Sequence, residues 1–161
     1  MITFKGLTIA AIGTLMSYSV AAQQAIPLYG APISLDQAKQ VIAASESEAV
    51  KNNWPVAIAV VDTGGHLVAL HRLDNTQLGS ISYAEEKART SVYFRRPSKA
   101  FEDAVASGGI GLRVLGLRGA TPYDGAVPIF VDGKIVGAVG VSGALAQQDG
   151  QVAAAGAAAI K

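Results

Sequence analysis

Two long apolar runs, each broken once by a tight glycine turn, constrain the fold of this chain more than any other feature. The first is Val56–Asp74, VAIAVVDTGGHLVALHRLD, and the second is Gly125–Gly143, GAVPIFVDGKIVGAVGVSG. In each run, apolar residues lead to an aspartate and a glycine turn, and a second apolar run follows, which is the pattern of a β-hairpin. The sequence therefore predicts two antiparallel hairpins, with a further weak strand at Leu112–Leu117.

Helical patterns surround these hairpins. The first strand, Val56–Val61, is apolar on both alternating faces, which predicts a sheet that is covered by helices on both sides. The expected helices cover residues 34–52, 80–94, 98–106 and 149–160, with N-caps at Ser34, Ser98 and Asp149. These elements predict an α+β fold, an antiparallel sheet of about five strands with helices packed on its faces.

The first 22 residues have the pattern of a secretory signal peptide. Lys5 precedes an uncharged run from Gly6 to Ala22 that ends in small residues. Polar residues interrupt this run, and it is short for a membrane-spanning helix, which needs ~20 apolar residues. We therefore expect cleavage before Gln23, a periplasmic or extracellular location, and no stable membrane insertion after cleavage.

The remaining 139 of the 161 residues are enough for a single domain, 23–161, with a hydrophobic core. Of the chain's 13 Lys and Arg, Lys5 lies in the leader, so this domain has 12 cations against 12 Asp and Glu. A neutral domain without a basic run predicts neither nucleic acid nor an anionic membrane as partner. The chain has no cysteine, which excludes disulfides and thiolate chemistry.

Two cationic side chains lie where they could hold an anionic ligand. Arg72 ends the first hairpin and could bind a carboxylate through its forked guanidinium, or form a local ion pair with Asp74. On the second predicted helix, Lys87 lies one turn from Tyr83 and shares a stripe with Phe94. Its ammonium could neutralise a ligand carboxylate, or could extend into water over a buried stem.

Other side chains leave two interpretations open. Arg95 and Arg96 lie just before Ser98, where they would suit an anionic ligand or a solvated turn. His66 and His71 are five residues apart on one predicted strand and so face opposite sides of the sheet, which prevents them from chelating one metal together. Either histidine could bind an iron or carry a proton, or simply be a solvated strand residue.

Five stretches, in this order, resemble the GlcG/HbpS-like haem-binding family: VAIAVVDTGGHLVALHRLD, SYAEEKARTS, RRPS, GAVPIFVDGKIVGAVGVSG and QQD. The likeness covers about residues 35–160. It implies a profilin-like α+β fold, a homo-oligomer, and haem or another tetrapyrrole as ligand. A related domain occurs in corrinoid adenosyltransferases of the PduO type.

The resemblance also implies a site. The family's haem iron is associated with a threonine just after the second helix, and the matching residue here is Ser98, whose neutral hydroxyl is a weak ligand for iron. Haem further needs an apolar slot and cations for its propionates. The residues expected to supply them are Tyr83, Phe94, Lys87, Arg72 and Arg95.

Three functions are compatible with these patterns. The first is an exported haem- or tetrapyrrole-binding protein with weak haem-dependent or haem-degrading activity. The second is a small organic-acid-binding enzyme or accessory subunit, in which Arg72 and Lys87 hold a carboxylate and His71 or Tyr83 carries a proton. The third is an oligomeric interaction module for a sensor or larger complex. Whether the chain is an enzyme stays open.

Overall fold

The computed structural model describes residues 26–161. In chain order its elements are α1 (Leu35–Lys51), β1 (Ala57–Asp62), β2 (Leu67–Arg72), α2 (Gly79–Phe94), α3 (Lys99–Ala106), a 3₁₀ helix (Gly109–Gly116), β3 (Ala126–Val131), β4 (Lys134–Ser142) and α4 (Ala146–Ala157). The predicted signal peptide, residues 1–22, lies outside the described residues. From residue 26 onward, no helix is long and apolar enough to cross a membrane.

The strands form one antiparallel sheet in the order β2-β1-β4-β3. Both predicted hairpins are present, and β1 and β4 pair with each other at the centre, with Ala57 opposite Ser142. The α+β class with an antiparallel sheet is therefore confirmed. In the described part of the chain the sheet has four strands rather than about five.

The strand predicted at Leu112–Leu117 is wrong, because most of this segment lies in the 3₁₀ helix. Gly108 and Gly109 both have positive φ, 68° and 54°, and redirect the chain after α3. Gly111 then lies against the carbonyl oxygen of Ala104 in α3, where a Cβ would overlap that oxygen. The segment packs on α3 as a turn and does not reach an edge of the sheet.

Two of the three predicted N-caps differ from the structure. Ser34 forms the predicted capping box, accepting from the Gln37 amide at 3.2 Å, while Gln37 Oε1 accepts from the Ser34 amide at 3.0 Å. Ser98 occupies the residue before α3, but its side chain does not cap that helix. Asp149 lies inside the first turn of α4, whose N-cap is Leu145. Both side chains have buried partners elsewhere.

The two faces of the sheet are packed differently. Helices α1 and α4 cover one face, where large aliphatic side chains from all layers form the main core, among them Val41, Ile42, Ile58, Val60, Val139, Val141 and Val152. Burial of each such side chain contributes about 1.5–3 kcal/mol. On the other face, α2 lies on small residues such as Ala57, Ala59 and Ala138.

Helix α2 approaches the sheet closely because β4 has a glycine beneath it. A Cβ on Gly140 would overlap the Ala84 carbonyl oxygen and come 2.6 Å from the Ala88 amide nitrogen. The glycines spaced along this strand therefore mark close backbone packing, one of the explanations expected for a glycine inside a strand. The short distance brings polar side chains of α2, including Lys87, directly onto β4.

The segment before α1 pairs briefly with the start of β4, at Ile135. Tyr29 forms a parallel bridge with Ile135, and the Gly30 amide donates to the Ile135 carbonyl at 2.8 Å. The Tyr29 hydroxyl donates to the Val92 carbonyl at 2.7 Å. These bonds hold Tyr29 and Gly30 against the start of β4 and the C-terminal end of α2.

Candidate functional site

The structure separates the predicted site residues into three regions. Lys87 lies in a buried polar cluster in the middle of α2, and Phe94, Arg95 and Ser98 lie at the C-terminal end of that helix. Arg72 is exposed on β2, one edge of the sheet, whereas Ser98 bonds to β3, the opposite edge. Three strand spacings separate these edges, about 14 Å. Arg72 therefore does not join the other residues.

Lys87 forms a buried ion pair with a residue of α4. Its side chain is only 3% exposed, and Nζ donates to Asp149 Oδ2 at 2.9 Å and to the Val141 carbonyl at 3.1 Å. The other carboxylate oxygen of Asp149 accepts from the Ala144 amide at 3.0 Å. The pair therefore joins α2, β4 and the start of α4. Extension of the Lys87 ammonium into water, one of the two expected arrangements, is wrong.

Gly125 makes room for this pair. It has a φ of 131°, and a Cβ at this position would lie 2.7 Å from Lys87 Nζ and 2.9 Å from the Asp149 Cβ. Both the backbone conformation and the contact therefore favour glycine, because other residues rarely adopt this φ. The space that the ion pair needs therefore explains why the second apolar run begins with a glycine.

A second buried carboxylate precedes Gly125. Asp124 is 8% exposed; its Oδ1 accepts from the Gly125 amide at 2.7 Å, and its own amide donates to Glu102 Oε2 at 2.7 Å. Burial raises the pKa of Asp124, and the nearby Glu102 adds to this rise, while the Gly125 amide opposes it. Burial likewise raises the pKa of Asp149, against the opposing effect of Lys87. The polar cluster is thus Lys87, Asp124 and Asp149, with Glu102 at its side.

The polar cluster uses its charges internally. A ligand carboxylate could reach the Lys87 ammonium only by displacing Asp149, which would leave a buried carboxylate without its cation. In the described structure Lys87 and Asp149 form a structural ion pair. The adjacent carboxyl group is Asp124, whose pKa is raised by burial.

Tyr83 and Phe94 do not form one apolar slot. They are 11 residues apart on α2, which places them about 16 Å apart along the helix axis. Tyr83 is 43% exposed and makes an edge-on contact with Tyr123, with ring centroids 5.9 Å apart. Phe94 instead packs against Phe101 of α3 at 5.1 Å. Only Phe94 contributes to the cavity described next.

An apolar groove of about 910 Å³ lies between the end of α2, the edge strand β3 and α4. We call it the α2–β3 groove. Its walls include Phe94, Pro97, Val127, Pro128, Ala154 and Ala157, with Arg95 and Arg96 beside them. A volume of several hundred Å³ with mostly apolar walls and few polar groups is typical of a small-molecule or cofactor site.

The two arginines of this groove are held differently. Arg95 ends α2 with a left-handed backbone, φ 55°; its Nη1 donates to the Pro27 carbonyl at 3.2 Å, and its guanidinium lies 5.0 Å from the Tyr29 ring centroid. Arg96 is exposed, and its guanidinium lies 5.6 Å from the Phe101 ring centroid. Within residues 26–161 neither arginine has a carboxylate partner.

Ser98 lies directly behind this groove and is fully buried. Its Oγ accepts from the Ala126 amide at 3.0 Å, and its own amide donates to the Ala126 carbonyl at 2.9 Å. These bonds fasten the start of α3 to the edge strand. To bind an iron, the hydroxyl would have to turn away from Ala126, and its assignment as an iron ligand stays a prediction.

The histidines lie away from the α2–β3 groove. His66 Nδ1 is 3.4 Å from Asp62 Oδ1, and His71 Nδ1 is 3.3 Å from Glu46 Oε2. No group of three or more His, Cys, Asp or Glu side chains suited to a metal ion occurs in the described residues. No ion pair joins Arg72 to Asp74 in that part of the chain either.

Sequence reasoning identified one wall of the groove and missed the other. Phe94, on the stripe of the second predicted helix, and Arg95, the first residue of RRPS, are both expected at the ligand site. The opposite wall, Val127, Pro128 and Ala154, comes from residues about 30 and 60 positions later in the chain. No local pattern marks these residues, because only the packing of β3 and α4 brings them to α2.

Residues 33–158 match the family described as "Haem degrading protein HbpS-like". The chain belongs to this family. Protein GlcG of Escherichia coli strain K12 is 46% identical over 110 residues, which are 68% of this chain and 81% of GlcG.

Two solved structures are similar to this fold. A crystal structure of a PduOC–haem complex superposes with a TM-score of 0.72 and 26% identity, over 81% of this chain and 96% of that one. A double mutant of Streptomyces reticuli HbpS superposes with a TM-score of 0.74 and 26% identity, over 98% and 99%. These likenesses confirm the expected GlcG/HbpS-like family and its fold.

Proposed function

We propose that this protein binds haem, or a closely related tetrapyrrole, in the α2–β3 groove. The observation that carries the proposal is an apolar groove of about 910 Å³ with two arginines at the end of α2 that have no carboxylate partner among residues 26–161. The similarity to a PduOC–haem complex and to HbpS supports the choice of ligand.

The groove fits the two chemical parts of haem. Phe94, Val127 and Ala154 present apolar surface for the porphyrin face, because a flat apolar ring gains most from contact that excludes water. Arg96 and Arg95 would hold the propionates, since a guanidinium can form two parallel hydrogen bonds with one carboxylate. Each guanidinium donates to one backbone carbonyl, Arg95 to Pro27 and Arg96 to Phe94 at 3.1 Å, and Arg96 is the more exposed of the two.

The fit rests on the ring and the propionates rather than on a protein ligand of the iron. Neither histidine lines the groove within the described residues, and the Ser98 hydroxyl accepts from Ala126. When bound, haem would supply iron-centred redox chemistry, from which a weak haem-degrading activity would follow. This chain's own residues would hold the ring and exclude water from one of its faces.

Export and self-association complete the proposal. We take residues 1–22 as a signal peptide and the protein as periplasmic or extracellular, on the leader pattern of Lys5 and the uncharged run after it. We also retain a homo-oligomer, which the family resemblance implies. Determination of the N-terminal residue and the molar mass of protein recovered from the periplasm or medium tests both points.

The organic-acid alternative has less support from the structure. It requires Arg72 and Lys87 to hold one carboxylate, yet Arg72 is exposed on an edge strand and Lys87 is paired with Asp149 inside the fold. The interaction-module alternative needs no ligand at all. It would be favoured by a stable oligomer that gives no saturable response to haemin.

An absorbance titration with haemin tests the proposed function. The wild-type protein is expected to saturate with a Soret band, and Arg96→Gln to bind about tenfold more weakly, the loss of roughly one charge-assisted hydrogen bond. Arg72→Gln is the matched control, because Arg72 is also exposed but lies on the opposite edge. Equal loss in both variants, or loss in Arg72→Gln alone, would contradict the groove assignment.

A further inference from the structure

The 3₁₀ helix after α3 presents an unusual amount of apolar side chain to solvent. Ile110 is 75% exposed, Leu115 64%, Leu112 49% and Leu117 42%, and no residue of the helix is buried. Single exposed aliphatic residues need no explanation, but here four lie within eight positions, and Leu112 and Leu115 share one face of the 3₁₀ helix. We call residues 110–118 the 3₁₀ strip.

The 3₁₀ strip also carries two exposed cations. Arg113 and Arg118 have no hydrogen-bond or ion-pair partner among residues 26–161. The sequence from Ala104 to Tyr123 contains no Asp or Glu. Of the flanking acids, Asp103 is paired with Lys99 at 2.7 Å and Asp124 is buried. The strip is therefore apolar and locally cationic, although the whole domain is neutral.

We propose that the 3₁₀ strip docks on the surface of an anionic lipid bilayer. Aliphatic side chains enter the boundary between headgroups and acyl chains, while arginines stay at the level of the lipid phosphates, as in interfacial amphipathic segments. Each cation close to an anionic lipid surface adds about 1 kcal/mol to binding. Docking of this kind is peripheral and needs no membrane-spanning helix.

Charge favours this occupant over a two-fold contact with a second copy of the chain. In a two-fold symmetric dimer built on the strip, the same patch would meet itself, and Arg113 and Arg118 would be opposed by the same arginines of the partner. Like charges in such a contact are unfavourable. An anionic bilayer offers lipid phosphates to both guanidiniums and the acyl-chain boundary to the aliphatic side chains.

The strip is independent of the proposed haem site. It packs on α3 through Gly111, whereas the α2–β3 groove is lined by α2, β3, α4 and residues next to Pro27. A protein that binds haem without membranes, or membranes without haem, would therefore separate the two proposals.

Sedimentation with vesicles tests the docking. The full-length mature protein is mixed with vesicles of phosphatidylcholine alone or of phosphatidylcholine with phosphatidylglycerol, at low and high salt. We expect binding to the anionic vesicles that weakens at high salt. Arg113→Gln/Arg118→Gln should lower the partition coefficient about 30-fold, and Leu112→Gln/Leu115→Gln should also lower it.

The control is Arg72→Gln/Leu78→Gln, which removes one exposed arginine and one exposed leucine outside the strip and should bind as wild type. Circular dichroism of each variant verifies folding. Three results would overturn the proposal: equal binding to neutral and anionic vesicles, unchanged binding in both strip variants, or strip variants that alter only the molar mass in solution. The last would identify the strip as a contact between copies.

Discussion

The polar cluster around Lys87 and the α2–β3 groove lie on the same helix and differ in what their charges do. In the cluster, Lys87 and Asp149 are each 3% exposed in their side chains and satisfy each other at 2.9 Å. In the groove, Arg96 is exposed and has no carboxylate partner within residues 26–161. In the first region the lysine is buried and paired, and in the second the arginine is exposed beside apolar walls.

This difference shows why the sequence alone does not decide whether a charged residue beside the apolar face of a helix is buried in an ion pair or exposed to a ligand. A buried ion pair brings little net stability but becomes costly when one partner is removed, whereas an exposed cation costs little to remove. Variants of the polar cluster should therefore alter folding, and variants of the groove should alter ligand binding. The predictions below follow from this contrast.

The largest effect is expected for Lys87→Met. Removal of the ammonium leaves the Asp149 carboxylate buried without its cation, which should lower the free energy of unfolding by about 3–5 kcal/mol. Chemical denaturation measures this change. Lys87→Met/Asp149→Leu should recover part of it, because no buried charge is then left unpaired, although the Ala144 amide loses its acceptor. A single variant as stable as wild type would show that the pair is not structural.

The next largest effect is expected for Ser98→Ala. The Ala126 amide loses its acceptor in a fully buried position, and an unsatisfied buried donor costs about 1–3 kcal/mol. Ser98→Thr, which keeps the hydroxyl, should retain most of the stability if the extra methyl fits. Undiminished stability in Ser98→Ala, together with a changed Soret band on haemin addition, would indicate that the hydroxyl serves the ligand and not the fold.

Ala154→Trp should affect binding and leave stability unchanged. Ala154 is exposed on α4 and lines the α2–β3 groove, so an indole there would occupy the space proposed for the tetrapyrrole. We expect haemin affinity to fall at least about tenfold, while unfolding changes by less than about 0.5 kcal/mol. Ala159→Trp, exposed beyond the end of α4, is the control and should bind haemin as wild type.

The smallest effect is a pH dependence that comes from Asp124. Its pKa in the folded protein is raised by burial, so the folded state holds the proton more tightly than the unfolded chain. The resulting stabilisation is present at low pH and is lost as pH rises from the ordinary aspartate pKa through the raised value. One such group changes unfolding by at most about 1.4 kcal/mol per pH unit.

Asp124→Asn removes this titration and mimics the protonated group. Its stability relative to wild type should therefore rise as pH increases above about 4, as measured by denaturation at several pH values. A constant difference between Asp124→Asn and wild type at every pH would contradict the effect of burial.

The hairpins and most helices could be predicted because their signals are local. The turns of each hairpin, the capping box at Ser34 and the continuous apolar run of β1 all lie within a few residues of the structures they specify. The segment at Leu112–Leu117 was misread because its apolar residues resemble a strand. What decides its structure is the contact of Gly111 with α3, which no local pattern contains.

The candidate site was only half predictable for the same reason. Phe94, Arg95 and Ser98 lie close together in sequence and in space. The partner of Lys87, in contrast, is 62 residues away, and Asp149 had a sufficient local explanation as a helix cap. A lysine that is buried and paired with a carboxylate distant in sequence has the same local sequence pattern as a lysine whose ammonium extends into water.

One haemin titration tests the central contrast most directly. It compares Arg96→Gln with the double variant Lys87→Met/Asp149→Leu, after circular dichroism has shown that both are folded. Arg96→Gln is expected to bind haemin about tenfold more weakly, and the double variant is expected to bind as wild type. Normal binding by Arg96→Gln together with loss of binding in the folded double variant would contradict the groove assignment and would place the ligand at the polar cluster.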